Sequence, residues 1–328
     1  VISFLDELAR AKGRRMMVRL VKGAYWDTEI KRAQERGLDG YPVFTRKAMT
    51  DLNYIACAEQ LMALRPRLYP QFATHNALTV ASLIERAGGN HDGFEFQRLH
   101  GMGDALYHDL RKAFPDLPCR TYAPVGGHRD LLAYLVRRLL ENGANSSFVA
   151  ASTDDDLPID ALLKRPSTII GAAEDAHHPS LPKPPALFGA ARRNSHGFEF
   201  GHRASLDALT QAIARARTAI EAASIIDGRP SAGASTSRYS PIDTQLVGRC
   251  IEASPDDADR AMAAARAGFA SWRRASAEDR ARMLERVADL LEERRALFIH
   301  LLQVEGGKTL DDCVSEVREA AEIGRAHV

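Results

Sequence analysis

The chain has 328 residues, 45% of them hydrophobic and 27% charged, with a formal net charge of +1. That is ordinary globular composition for about two domains; the balanced charge gives no footprint for nucleic acid, and no apolar run reaches the roughly 18 residues of a membrane span. Cys57, Cys119, Cys250 and Cys313 form no closely spaced pair, which argues against a disulfide framework or a zinc site and for a reducing cytosol.

The first predicted element is a helix over ISFLDELARA, stopped at Gly13. The chain enters it without an initiator Met, so an internal piece of a longer protein is expected. Up to about residue 149, short apolar runs alternate with amphipathic ones. Strands are expected at Met16–Val21, Leu68–Thr74, Gly93–Gln97 and Pro118–Ala123, with helices such as Thr45–Leu64 and Ala77–Ala87 between them. Such alternation implies a parallel sheet with crossover helices, as in half of a (β/α)8 barrel or one side of a doubly wound sheet. No GxGxxG follows any of these strands, which disfavours a doubly wound dinucleotide fold.

Residues 150 to 203 carry STDDDLPID, HHPSLPKPPALFG and RRNSHGFEFGHR, where Pro and Gly interrupt every pattern. They read as a connector with little core. A helix follows at about Ala204–Ala223, then short β runs at Ser224–Asp227 and Val247–Ala253. Two long helices are expected last, at about Pro255–Ala275 and Ala277–Val304.

Several stretches hold chemistry. RLVKGAYW, residues 19 to 26, ends an apolar strand in a glycine flanked by a lysine and two aromatics, as though something lies across its end. In DLLAYLVRRLLENG, Tyr134, Arg137, Arg138 and Glu141 fall in one narrow arc at about 100° per residue. Two guanidinium forks beside a tyrosine suit a carboxylate; the alternative is an Arg137–Glu141 pair on a solvent face. His75 in QFATHN follows a strand, where a barrel presents its active face, or it is a polar residue at a helix start capped by Thr74 or Asn76. HGMGD, residues 100 to 104, reads as a strand-to-helix turn. Tyr122 is a strand-end aromatic or ordinary core. His177 and His178 have no partner cluster in sequence, so no metal is expected.

RLVKGAYWDTEIKRAQ, YPVFTRK, FATHN, FEFQRLHGMG, YAPVG and LLAYLVRRLLENGANSSF together resemble a proline dehydrogenase domain over residues 1 to 149. YSPIDTQLVGRCIEASPDDADRAMAAARAGFASW, RARMLERVADLLEERR and EGGKTLDDCVSEVREAA resemble the N-terminal part of an aldehyde dehydrogenase. This order is similar to that of a bacterial family which couples proline dehydrogenase to L-glutamate γ-semialdehyde dehydrogenase. The resemblance implies the C-terminal half of a distorted (β/α)8 barrel, with FAD across the C-terminal ends of its strands. Arg19 is then expected near flavin N5, and Val21 and Trp26 along the isoalloxazine and ribityl side. Gly23 lets backbone approach the cofactor. Thr45, Thr74, His75 and Gln97 surround the rest of the FAD, and Glu141 its sugar hydroxyls. Leu20, Tyr25, Tyr122 and Tyr134 enclose L-proline, while Arg137 and Arg138 grip its carboxylate.

The resemblance further implies membrane quinone as electron acceptor, a cytoplasmic protein peripheral to the membrane, a homo-oligomer, and NAD in the second domain. Cys250, in GRCIEA, and Cys313, in DDCVSE, do not match that domain's nucleophile motif. Neither its nucleophile nor the barrel's first strands are recognised in this stretch, so the chain alone is expected to be inactive. The expected divisions are 1–149, 150–223, 224–322 and a tail at 323–328, since IGRAHV reads as a translated sequencing adapter rather than family sequence. The alternatives are a connecting scaffold without catalysis and a different flavin barrel reductase; some family members also add a DNA-binding repressor domain.

Overall fold

The computed structural model describes residues 1–23, 25–143 and 158–326, without the side chains of 137–143 and 162. It divides into two compact units. One comprises Val1–Trp26 and Val43–Leu181, the other Asp27–Pro42 and Pro182–Val328.

The first unit is built on four parallel strands in the order β1 (Met16–Val21), β2 (Leu68–Ala73), β3 (Glu95–Leu99) and β4 (Cys119–Tyr122). The segments between them are α3 (Lys47–Ala63), α4 (Ala77–Ala87) and α5 (Asp104–Ala113), preceded by α1 (Ile2–Ala11) and followed by α6 (His128–Gly143). Successive side chains on a strand point to opposite faces, and the register aligns Leu20, Phe72, Phe96 and Cys119 in one row across the sheet. That row packs with Tyr54, Ala58, Val80, Leu83 and Tyr107 from the helices. Phe72, Phe94 and Phe96 are fully buried there, each contributing about 2–3 kcal/mol of burial. Ring pairs Phe72–Phe94 and Phe94–Phe96, with centroids 5.6 and 5.9 Å apart, meet edge to face.

Strand β3 lies two residues later than the expected Gly93–Gln97. Gly93 has a positive φ of 76°, which no strand residue adopts, so the pairing starts beyond it. The segment read as a connector with little core also changes. Short helices α7 (Ile159–Leu162) and α8 (Pro166–Ile170) form, and Ile170 is buried. The Arg46 guanidinium donates to the carbonyls of Ile169 (2.9 Å), Ile170 (3.3 Å) and Asp175. A cation at the C-terminal carbonyls of a helix complements its dipole, so one arginine fastens this segment to the first unit.

The helix after β1, α2 (Trp26–Glu35), belongs from Asp27 onward to the second unit. The N–H of Gly197 donates to Gly37 O at 2.8 Å, and Arg318 donates to Glu35 O and Ser195 O at 2.8 and 3.2 Å. The remaining helices are α9 (Arg203–Arg215), α10 (Pro255–Trp272), α11 (Ala277–Glu293), α12 (Arg295–Gly306) and α13 (Leu310–Ala326). Leu209, Ile213, Ile299, Cys313, Val314 and Val317 form a core between α9, α12 and α13. Strand β9 (Leu246–Ile251) pairs in parallel with β5 (Ile220–Ala223) and antiparallel with β8 (Ser235–Tyr239); β6 (Ile225–Ile226) and β7 (Arg229–Pro230) make a separate hairpin.

Two predicted helices come out differently. The one expected to reach Ala223 stops at Arg215, because Ile220–Ala223 pairs with Gly248–Ile251 instead; tertiary pairing outweighs the helical propensity of the alanines. The long helix expected over Ala277–Val304 breaks at Arg294, with φ −101° and ψ 14°, inside the polar run EERR where no apolar side chain needs burial. Helix α13 runs to Ala326, and Arg325 in the IGRAHV stretch is buried, paired with Asp289 at 2.9 Å and Glu292 at 2.6 Å.

The contact at Gly197 admits no side chain. An added Cβ would lie 1.7 Å from Arg36 O, whereas one at Gly40 meets nothing within 4 Å. Gly197→Ala is therefore expected to destabilise the second unit by about 2–3 kcal/mol, and Gly40→Ala to leave it nearly unchanged. Denaturant unfolding of the two variants checks this; equal midpoints would show that the backbone contact carries no stability.

Candidate active site

The face of the β1–β4 sheet opposite its apolar row is polar. Strand parity and register place Arg19, Gln71 and Glu95 in one row, and Val21, Ala73, Gln97 and Arg120 in the next. Glu95 is buried and is the hub. Its Oε1 accepts from Gln71 Nε2 at 2.8 Å, Gln97 Nε2 at 2.8 Å and Arg120 Nε at 2.9 Å, while its Oε2 accepts from Arg120 Nη2 at 3.0 Å. Burial works to raise the carboxyl pKa, but the hydrogen bonds from Arg120, Gln97 and Gln71 prevail and hold it below the ordinary glutamate value. The group is therefore an anion that only accepts hydrogen bonds.

Toward the strand ends the Arg19 guanidinium lies over the Tyr122 ring, 4.4 Å from its centroid, a cation–π contact across the same face. Val21 and Tyr25 are exposed beside it in sequence. Gly23 has no positive φ, and an added Cβ there meets no atom within 4 Å. Neither backbone strain nor internal packing requires glycine at this position, which fits a backbone kept bare for close approach of a ligand. Lys22 has the other parity. Its Nζ turns into the helix layer, 2.6 Å from Asp51 and 3.3 Å from Thr79 Oγ1, and so fastens the end of β1 to α3 and α4.

The other sequence-predicted residues separate into groups. Thr74 is buried and its Oγ1 accepts from the Asn76 N–H at 3.2 Å; Asn76 caps α4 by accepting from the Thr79 N–H at 2.9 Å. The Nε2 of His75 accepts the Leu99 N–H at 3.0 Å, so that nitrogen is unprotonated and the histidine bridges the ends of β2 and β3. Tyr107 Oη donates to Thr74 O at 2.7 Å and steadies the same corner. Thr45 is buried, and its Oγ1 accepts the His178 N–H at 2.9 Å, leaving its hydroxyl proton to offer. Trp26 Nε1 donates to Phe44 O at 2.8 Å.

Leu20 is not brought to this face. It packs among the apolar residues beneath the helices, because strand alternation turns it away from Arg19 and Val21. Tyr134 lies half-buried on α6; the side chains of Arg137, Arg138 and Glu141 lie outside the described residues. Glu95, Arg120 and Gln71 went unnoticed in sequence. Only at β3 was there a signal, the alternation of Glu95 and Gln97 with Phe94 and Phe96; Gln71 and Arg120 have no such alternation around them in their strands. Cys313 is fully buried, with its thiol pKa raised by burial, and Cys250 lies on β9; neither placement suits a nucleophile. Among the described residues no group of His, Cys, Asp and Glu could hold a metal, and no helix is long and apolar enough to cross a membrane.

A proline dehydrogenase family model matches residues 1–151, and an aldehyde dehydrogenase family model matches residues 229–328. The bifunctional protein PutA of Escherichia coli is 43% identical over 337 residues, covering 98% of this chain and 26% of that protein. The PutA protein of Rhizobium meliloti is 43% identical over 334 residues, covering 99% of this chain and 27% of that one. A crystal structure of a proline utilization A mutant from Bradyrhizobium japonicum aligns with a TM-score of 0.80 at 59% identity, over 99% of this chain and 30% of that one. The chain thus spans between a quarter and a third of the length of these relatives. Its first part is a proline dehydrogenase barrel portion and its last the start of an aldehyde dehydrogenase-like domain, and over nearly its whole length the chain is similar to a portion of the PutA proteins.

Proposed function

We propose that this chain is the middle portion of a bifunctional proline-oxidising enzyme, its first unit contributing to an FAD and L-proline site and its last segment beginning an aldehyde-oxidising domain. One observation carries the reading. The face that presents Arg19, Val21, Gln97, Arg120 and Tyr122 at the ends of parallel strands lies in the segment matched by the proline dehydrogenase model. Brought to this chain, the names of its relatives supply the substrate class.

The cofactor fits the residues present: a bare backbone at Gly23, a guanidinium at Arg19 and side-chain acceptors at the strand ends. Arg19, Val21, Gly23, Trp26, Thr45, Thr74, His75, Gln97 and Glu141 are the residues proposed to hold it. FAD, when bound, supplies the acceptor for the hydride that leaves C5 of proline, giving 1-pyrroline-5-carboxylate. Arg137 and Arg138 clamp the substrate carboxylate and fix the ring, and such orientation lowers a barrier by several kcal/mol, on the order of the entropy otherwise lost. Tyr25, Tyr122 and Tyr134 close around the ring and exclude water. Leu20 takes part through packing, by setting the position of β1.

In the longer protein, hydrolysis of the pyrroline yields L-glutamate γ-semialdehyde, which the second domain oxidises to glutamate with NAD. Return of electrons to membrane quinone, a peripheral cytoplasmic location and a homo-oligomeric state belong to the same proposal. A scaffold role without catalysis is the competing reading, and the buried ionic hub on an otherwise open sheet face speaks against it.

Two substitutions in the full-length protein test the assignment. Arg138→Met is expected to lower kcat/KM for proline by about 2–4 kcal/mol, through loss of a charged hydrogen-bonding fork, while FAD binding stays within a few-fold. Proline-dependent dye reduction measures the first and flavin absorbance the second; unchanged proline kinetics would falsify the substrate role of α6. Gly23→Val places a branched side chain where the cofactor is proposed to pass. The purified variant is expected to be nearly colourless, and a full flavin spectrum would reduce Gly23 to a turn residue.

A further inference from the structure

The buried ionic hub offers more than stability. Gln97 is only 6% exposed, and its Nε2 is committed to Glu95 at 2.8 Å. An ionised carboxylate accepts but never donates, so the amide can face it only through its N–H. The amide is thereby locked in one of its two orientations. Among the described residues none donates to Gln97 Oε1, and that oxygen is not among the buried atoms left without a partner. The same Glu95 Oε1 orients Gln71 at 2.8 Å, and Arg120 balances the charge through two hydrogen bonds.

We propose that Glu95 is a positioning residue for the ligand site: it turns Gln97 Oε1 outward as a fixed acceptor, so that the ligand atom met there is a ring-system N–H. Resting on the flavin reading, this assigns the acceptor to the imide N–H of the isoalloxazine or to the adenine amine of FAD. A glutamine free to rotate about its last torsion presents its N–H or its oxygen equally well. The carboxylate behind Gln97 removes the first choice before the ligand arrives, and that preorganisation favours binding.

The test is a double-substitution cycle on FAD affinity in the full-length protein, followed by flavin fluorescence and by the visible absorption bands of the bound flavin. Glu95→Gln keeps the shape of the side chain but brings an amide N–H against Gln97, so the lock is lost. It is expected to weaken FAD binding about tenfold or more and to shift the flavin bands. In a Gln97→Leu background the same change is expected to alter affinity less than about twofold, because the residue it acts through is gone. An equal loss in both backgrounds would show a merely structural role and overturn the proposal, as would unchanged affinity in the single variant. Should Glu95→Gln not fold, Glu95→Asp, which keeps the charge but withdraws it by one methylene, takes its place in the same cycle and is judged by the same two criteria. Titration with FMN and with ADP separates the two sources of N–H: the ligand whose binding Glu95→Gln weakens carries the contact, and weakening of neither overturns the assignment. Failure of the unsubstituted full-length protein to bind any flavin would instead overturn the flavin reading, and with it this inference.

Discussion

The in-register alignment of Leu20, Phe72, Phe96 and Cys119 is the constraint on which the first unit depends. Once these four side chains share a row beneath the helices, the pleat leaves no choice for their neighbours. Every residue one step along must face the other way, so Arg19, Gln71, Glu95, Gln97 and Arg120 meet on the opposite face. A slip of one residue in β3 would turn Phe96 outward and put Glu95 or Gln97 among the aromatics. The apolar face thus holds the polar face in register, and the polar face is where the chemistry is proposed.

That arrangement makes demands of its own. A buried carboxylate such as Glu95 carries a desolvation cost of several kcal/mol, on the order of what a single core side chain contributes. Four hydrogen bonds, two of them from Arg120, offset it. A leucine at position 95 would pack without needing partners. The ionic hub in its place holds the amides of Gln71 and Gln97 in fixed orientations, within the segment that the proline dehydrogenase model matches.

The second unit shows a related economy in backbone contacts. Gly37 and Gly197 bring their main chains close enough to hydrogen-bond at 2.8 Å, and Arg36, Arg318 and Glu292 surround the contact with further donors and acceptors. The segment holding Gly37 lies between β1 and α3 in sequence, yet it packs with residues far later in the chain.

By itself the sequence determined the four parallel strands, the intervening helices and the family, because apolar periodicity and long motifs such as RLVKGAYW and LLAYLVRRLLENG are local properties. The end of α1 before Gly13, the strand at GRCIEA and the helix at DDCVSE were legible for the same reason. Only the tertiary structure decided which side of β1 each residue takes: Leu20 to the core, Lys22 to Asp51, Arg19 to Tyr122. It alone found Glu95, whose four hydrogen bonds come from residues 24 and 25 positions away and from a neighbour two positions on. It alone ended the helix at Arg215, where pairing with a later strand outweighed local preference. The physical reason is common to all three. Periodicity records how often a chain must turn an apolar side chain inward, whereas hydrogen-bond partners and strand neighbours depend on which distant segment arrives alongside, and no local spacing encodes that.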